Sequence, residues 1–183
     1  MGSAGHVAAE IDVSGVARDT LEARFNSILG ANGEALGRLA AAYTRSASDR
    51  DDLLQDIAMG LWQALPRFRG ECSERTFVFR IAHNRGLAHA GRRRWVVPID
   101  ETEHEPQDPL PDPEVELSRE EQSERLLSAI RRLPVIHREV LALALEGLGY
   151  REISQVLGIS ETNVGVRLNR ARRELKVILK DRS

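Results

Sequence analysis

Apolar residues recur along this chain three and four positions apart, the spacing of helices with one buried face. Phe25, Ile28 and Leu29 begin the pattern; Leu36, Leu39, Ala40 and Tyr43 repeat it, and Leu53, Leu54, Ile57, Leu61 and Leu65 repeat it again. Gly30 and Gly33 predict a break between the first two helices. Ser48, followed by Asp49, Asp51 and Asp52, predicts the next start, with acidic side chains at the positive end of the helix. Pro66 predicts its stop. A further helix is expected from Ser73 or Glu74 to Arg94, with Phe77, Val78 and Ile81 facing inward. Residues 18–97 therefore read as a bundle of about four helices.

A second helical block is expected over 118–183. Leu126, Leu127, Ile130 and Leu133 form one stripe, and Val140, Leu141, Ala144 and Leu145 the next. Pro134 suits a first helical turn between them. Gly147 and Gly149 then punctuate the chain before the next helical run. The predicted fold class is all-α: two small helical domains joined by an acidic, proline-rich linker, the second domain containing a helix-turn-helix.

Charge sharpens that division. The 183 residues carry a net charge of −2, but 31–97 and 119–183 are each +4, while 98–118 carries −8 with no basic side chain. Five of the seven prolines fall in 98–117. Proline removes backbone donors and like charges extend a chain, so 98–117 reads as a linker. It is either a solubilising spacer or an RNA-like polyanion for a basic channel in a partner. Residues 1–17 read as a flexible N-terminal extension.

The stretch from Tyr150 to Leu175 carries the most chemistry. Tyr150–Leu157 predicts a short helix and Gly158-Ile159-Ser160 a tight turn, with Gly158 able to take positive φ and Ser160 placed as N-cap. In the next helix Val164, Leu168, Ala171 and Leu175 share one face at 100° per residue. Thr162, Val166 and Arg173 fall opposite, flanked by Asn169 and Arg170. Such a face suits the major groove. Thr162 and Val166 can touch thymine methyls, Asn163 and Asn169 can pair with adenine, and Arg167, Arg170 and Arg173 can reach guanine or phosphate.

Other classes recede. No apolar run is long enough to span a bilayer, and the N-terminus has no basic start followed by an apolar core, so no membrane insertion and a cytoplasmic location are expected. A single cysteine, Cys72, precludes an internal disulfide. No glycine-rich phosphate loop, HExxH or nucleophile–base set is present, and His83 and His89 are six apart with no carboxylate on their own face. No enzyme activity, cofactor or metal is expected.

Asp52-Leu53-Leu54-Gln55-Asp56, Leu61-Trp62-Gln63-Ala64-Leu65, Arg67-Phe68-Arg69-Gly70 and the run from Arg75 to Asn84 resemble the promoter-melting domain of bacterial RNA polymerase sigma factors, most closely the extracytoplasmic-function subfamily. The helix-turn-helix resembles that family's reader of the minus-thirty-five element. The resemblance spans about 165 residues and implies a factor that binds core RNA polymerase and directs promoter-specific initiation. Asp52, Gln55 and Asp56 then match the positions that dock on the clamp of the largest catalytic subunit; as residues alone, they equally serve the helix dipole. Phe68, Arg69, Gly70 and Arg75 match the pocket for a flipped minus-ten base, which needs an aromatic surface, backbone groups and cations. Arg80, His83, Asn84, Arg92 and Arg93 would follow along the single strand, although the Arg92–Arg94 cluster could also complement a helix C-terminus. Thr162, Asn163, Val166, Arg167, Asn169, Arg170 and Arg173 would read the upstream duplex. The resemblance also implies a contact of the C-terminal domain with the polymerase flap, and an anti-sigma factor.

The chain departs from the family pattern at His83, where arginine is usual, at Phe77 for tryptophan, and at Ala88, Gly91 and Gly165. Free in solution, the two blocks are expected to pack together and hide their DNA faces. The alternative reading is a helix-turn-helix regulator that acts without being a polymerase subunit.

Overall fold

The computed structural model describes residues 13–96 and 114–180, with side chains for 18–91 and 121–180. Seven α-helices and one short 3-10 turn make up the described residues: α1 (Val13–Tyr43), α2 (Ala47–Ala64), the 3-10 turn (Leu65–Arg67), α3 (Glu74–Val96), α4 (Glu114–Arg132), α5 (Val135–Leu145), α6 (Tyr150–Leu157) and α7 (Glu161–Lys180). The architecture is all-α, as the spacing predicts.

The first block is three helices rather than four. Gly30 and Gly33 do not break the chain; α1 runs unbroken for 31 residues. Each glycine costs a helix about 1 kcal/mol against alanine. Burial of Ile28, Leu36, Leu39 and Ala40 along the same helix outweighs that cost. Helix α2 starts two residues before the expected point. Ser46, not Ser48, is its N-cap, and the Ser46 hydroxyl accepts from the Asp49 amide at 3.2 Å. Pro66 sits inside the 3-10 turn that ends α2. The Ser73 hydroxyl caps α3, accepting from the Thr76 amide at 3.0 Å.

Leu53, Ile57 and Leu61 of α2 meet Val78, Phe79 and Ala82 of α3 in the core. Val78 faces inward as expected, while Phe79 and Ala82 take the other core positions of α3, and Phe77 and Ile81 pack at its edge. The Tyr43 ring lies against the α3 backbone at Gly86, where a Cβ would stand 2.8 Å from Tyr43 Cδ2. Only a residue without a side chain admits that approach.

In the second block, Leu133, Val140, Leu143, Ile153, Val164, Leu168 and Ala171 form the buried set. Gly147 at φ +80° ends α5, with its amide and that of Leu148 donating to Ala144 O and Leu143 O. Helix α4 begins at Glu114, four residues inside the expected linker; 98–113 and the N-terminal 1–12 lie outside the described residues.

The two blocks pack on each other. Helix α6 lies along α3, while α4 and α5 meet α1. The last turn of α1 has carbonyls with no helical donor. Arg131 Nε donates to Ala41 O at 3.0 Å and Arg138 Nη1 to Ala42 O at 3.3 Å, so cations from the second block cap the negative end of α1. Arg38 closes the far side of the seam on Glu146, at 2.9 Å.

Candidate nucleic-acid interface

Helix α2 buries Leu53, Ile57 and Leu61 and so turns another flank outward. Asp52 and Gln55 stand exposed on that flank, and Asp56 is half-buried beside them. Met59, one turn further on, is 55% exposed, an apolar residue that the sequence pattern did not mark. The first acidic residue of the helix is used differently: Asp49 Oδ1 lies 3.0 Å from His89 Nε2 of α3. His89 therefore does have a carboxylate partner, supplied across the helix pair, which a reading of α3 alone misses.

The loop after α2 is built around stacked rings. Phe68 lies 4.4 Å from Phe77 between centroids, and the Arg24 guanidinium sits 5.4 Å above Phe68. Arg24 is held there by Glu74 at 3.0 Å. Phe68 is thus a half-buried platform with an arginine on one side. Arg69 and Gly70 are exposed next to it, and Gly70 takes φ +76°, a conformation glycine adopts freely. Arg75 reaches the second block, donating from Nη2 to the Glu146 backbone oxygen, with its guanidinium over Phe79.

Further along α3 the predicted residues part company. Arg80 and Asn84 line a cleft with Glu71 and Cys72, closed on the other side by residues 154–158 of α6 and its turn. Arg80 Nε is buried there without a hydrogen-bond partner. His83 is not on that face. It is 4% exposed, and its Nδ1 shares a 2.9 Å hydrogen bond with the Tyr43 hydroxyl. Burial pushes the His83 imidazole down to about 4, so it is neutral near pH 7. In this arrangement His83 is a core residue, turned away from the face on which the resemblance places it. Arg92 and Arg93 lie in α3, with their side chains outside the described residues.

The helix-turn-helix forms as the sequence predicts. Gly158 takes φ +66°, and the Ser160 hydroxyl accepts from the Asn163 amide at 3.2 Å. The Gly149 amide donates to Glu152 at 2.9 Å and fixes the start of α6. In α7, Val164, Leu168 and Ala171 are buried, while Thr162, Val166, Asn169, Arg170 and Arg173 are exposed. Asn163 and Arg167 are half-buried and bonded to each other, Arg167 Nε to Asn163 Oδ1 at 3.1 Å. Helix α7 is pinned from behind by His137 of α5, whose Nδ1 lies 2.7 Å from Glu174 Oε2.

The structure thus gathers Arg75, Arg80 and Asn84 at one seam and leaves the α7 face and the α2 flank outside it. Arg24 and Glu146 join these surfaces although no local pattern announced them. Their only sequence signal is a lone charge beside an apolar stripe, which describes most surface residues. Among the described residues no group of histidine, cysteine and acidic side chains could hold a metal ion, and no helix is long and apolar enough to cross a membrane.

Comparison with known proteins now gives the arrangement a family. The Sigma-70 region 2 model matches residues 28–96 and the Sigma-70 region 4 model residues 123–175. RNA polymerase sigma factor YlaC of Bacillus subtilis is 36% identical over 128 residues, 68% of this chain and 74% of that one. The ECF RNA polymerase sigma factor SigM of Mycobacterium tuberculosis is 30% identical over 148 residues, 79% of this chain and 71% of that one. This chain belongs to the extracytoplasmic-function sigma factors. The structure of CnrH, a sigma factor of Cupriavidus metallidurans, in complex with the cytosolic domain of CnrY superposes with a TM-score of 0.67 at 28% identity, over 88% of this chain and 91% of that one. The sigma factor RpoE of Bartonella quintana, solved with the anti-sigma factor NepR, shares the fold with a TM-score of 0.66 at 21% identity, over 86% and 97%. This sigma factor associates with RNA polymerase and directs initiation at promoters, in a family of non-catalytic initiation factors. The first block is its region 2 and the second its region 4.

Proposed function

We propose that region 4 reads the minus-thirty-five duplex through Thr162, Val166, Asn169, Arg170 and Arg173, with Asn163 and Arg167 at the groove edge, and that region 2 holds the minus-ten single strand. The observation that carries this reading is the split of α7 into a buried apolar stripe and a solvent-facing basic one. Phe68, packed on Phe77 with Arg24 over its ring, offers a base a stacking surface once Arg24 swings aside; Gly70 offers an open backbone, and Arg69, Arg75 and Arg80 cations for phosphate, with Asn84 beside them to read a base edge. Arg92 and Arg93 extend the cationic track along α3. His83 is left out of the contact set, because its role is to hold Tyr43.

The α2 flank of Asp52, Gln55 and Asp56 docks on the clamp of the largest polymerase subunit, where polar groups one turn apart meet a basic helix. Region 4 meets the flap. An anti-sigma factor holds the chain in reserve, a reading supported by the NepR complex of RpoE. The site of action is the cytoplasm, where the polymerase works. Region 2 releases region 4 before Arg75 and Arg80, both engaged at the seam, meet DNA, a reading supported by the Arg75 bond to Glu146.

The test adds purified chain to core polymerase and measures holoenzyme affinity and promoter-dependent initiation. Gln55→Ala with Asp56→Ala is expected to weaken core binding at least tenfold while leaving duplex binding by the free chain unchanged. Unchanged core affinity would remove the docking assignment.

A further inference from the structure

Arg38 was not among the residues expected to meet DNA. Its guanidinium meets Glu146 through two parallel contacts, Nε to Oε1 at 3.0 Å and Nη2 to Oε2 at 2.9 Å, with Nε also 3.3 Å from Oε2. Glu34, one turn back on α1, lies 3.6 Å from Nη1. Arg75 donates to the backbone oxygen of the same Glu146. The two arginines come from different helices of region 2, and both line a cleft of about 430 Å³ closed by Glu146 and Gly147 of region 4.

The two partners are buried to very different degrees. The Arg38 side chain is 61% exposed, but the Glu146 side chain is only 7% exposed. The carboxylate is the inserted group and the arginine is the rim. A carboxylate and a phosphodiester present the same pair of anionic oxygens to an arginine fork. Arg75 also opens α3, directly after the loop that carries Phe68, Arg69 and Gly70, so a strand whose base entered that loop would pass its backbone over this rim.

We propose that Arg38 and Arg75 form a backbone-phosphate site for single-stranded DNA, and that Glu146 fills it as an internal anion while regions 2 and 4 are packed. The site rests on the reading of region 2 as the single-strand holder. It adds a residue, Arg38, and a built-in competitor, Glu146. Separation of the regions withdraws the Glu146 carboxylate from Arg38 and the Glu146 backbone oxygen from Arg75, leaving Arg38 only its longer contact with Glu34, so strand capture and seam closure exclude each other.

A labelled fifteen-residue thymidine oligonucleotide tests this with the full-length chain, by fluorescence anisotropy across a salt series, with circular dichroism to check folding. Glu146→Ala is expected to bind at least five times more tightly than the unaltered chain. Its log affinity should fall more steeply with log salt, by about 0.7 for each phosphate gained. Adding Arg38→Ala in that background should cancel the gain and return the slope. Equal binding by Glu146→Ala and the unaltered chain, or a gain that survives Arg38→Ala, overturns the site while leaving single-strand binding by region 2 standing. If no folded variant binds the oligonucleotide at all, the site and the single-strand reading fall together.

Discussion

Regions 2 and 4 present their proposed DNA surfaces differently. Region 4 shows its reading helix to solvent, with Val166 at 45% exposure and Arg170 and Arg173 beside it. Region 2 keeps Arg80 and Asn84 in a cleft against α6 and ties Arg75 to Glu146. The difference lies in what each must bind. Duplex DNA offers its groove edges without rearrangement, so a standing surface suffices. A melted strand exists only after base pairs are opened, and a basic, aromatic surface left bare beforehand would take any single strand it met. The packed form thus leaves the proposed duplex reader available and engages Arg75 and Arg80 of the proposed strand-binding set, while Arg69, Gly70 and Asn84 stay exposed.

The sharpest way to break this comparison is through the core that sets the α7 face. Leu168→Ala should destabilise the chain by about 2–5 kcal/mol, whereas Val166→Ala, on the exposed side, should stay within about 0.5 kcal/mol. Thermal denaturation of the two variants checks it; equal losses would mean that the stripe and the face are confused.

Next in size is the buried His83–Tyr43 pair on the region 2 side. The unfolded imidazole titrates near 6.5 and the folded one at about 4, so the folded chain binds the proton less well. The stability from neutral His83 is complete above pH 6.5 and lost as pH falls toward 4, about 3 kcal/mol in all. Denaturant unfolding of the parent chain and His83→Gln across that window should show the difference narrowing as pH drops. A constant difference would place His83 back at the surface.

The smallest expected effect concerns reading itself. Arg170→Ala should weaken duplex binding to the cognate upstream element by about 1–3 kcal/mol, with folding and core docking unchanged, as measured by gel shift at fixed salt. Loss of folding instead would mean that Arg170 belongs to the seam.

Much of this was legible in the chain because helical periodicity survives burial. The α7 stripe, the Gly158 turn and the Ser160 cap are local, and each is decided by residues within one or two turns. The same logic failed at Gly30 and Gly33, where the propensity of single residues yields to the packing of a long helix. His83 was placed by resemblance alone; its burial depends on Tyr43 lying against α3 at Gly86, a contact between helices far apart in sequence. Glu146 and the arginines at the end of α1 were out of reach for a like reason. They act between blocks, and no pattern within either block encodes their partners.

Arg131 and Arg138, resting on the final carbonyls of α1, put a salt-sensitive latch on the closed form. Water can take over an acceptor that a guanidinium relinquishes, and the guanidinium is solvated in turn. Ionic competitors act on that latch, while the buried apolar side chains of both blocks form one continuous cluster that salt does not loosen.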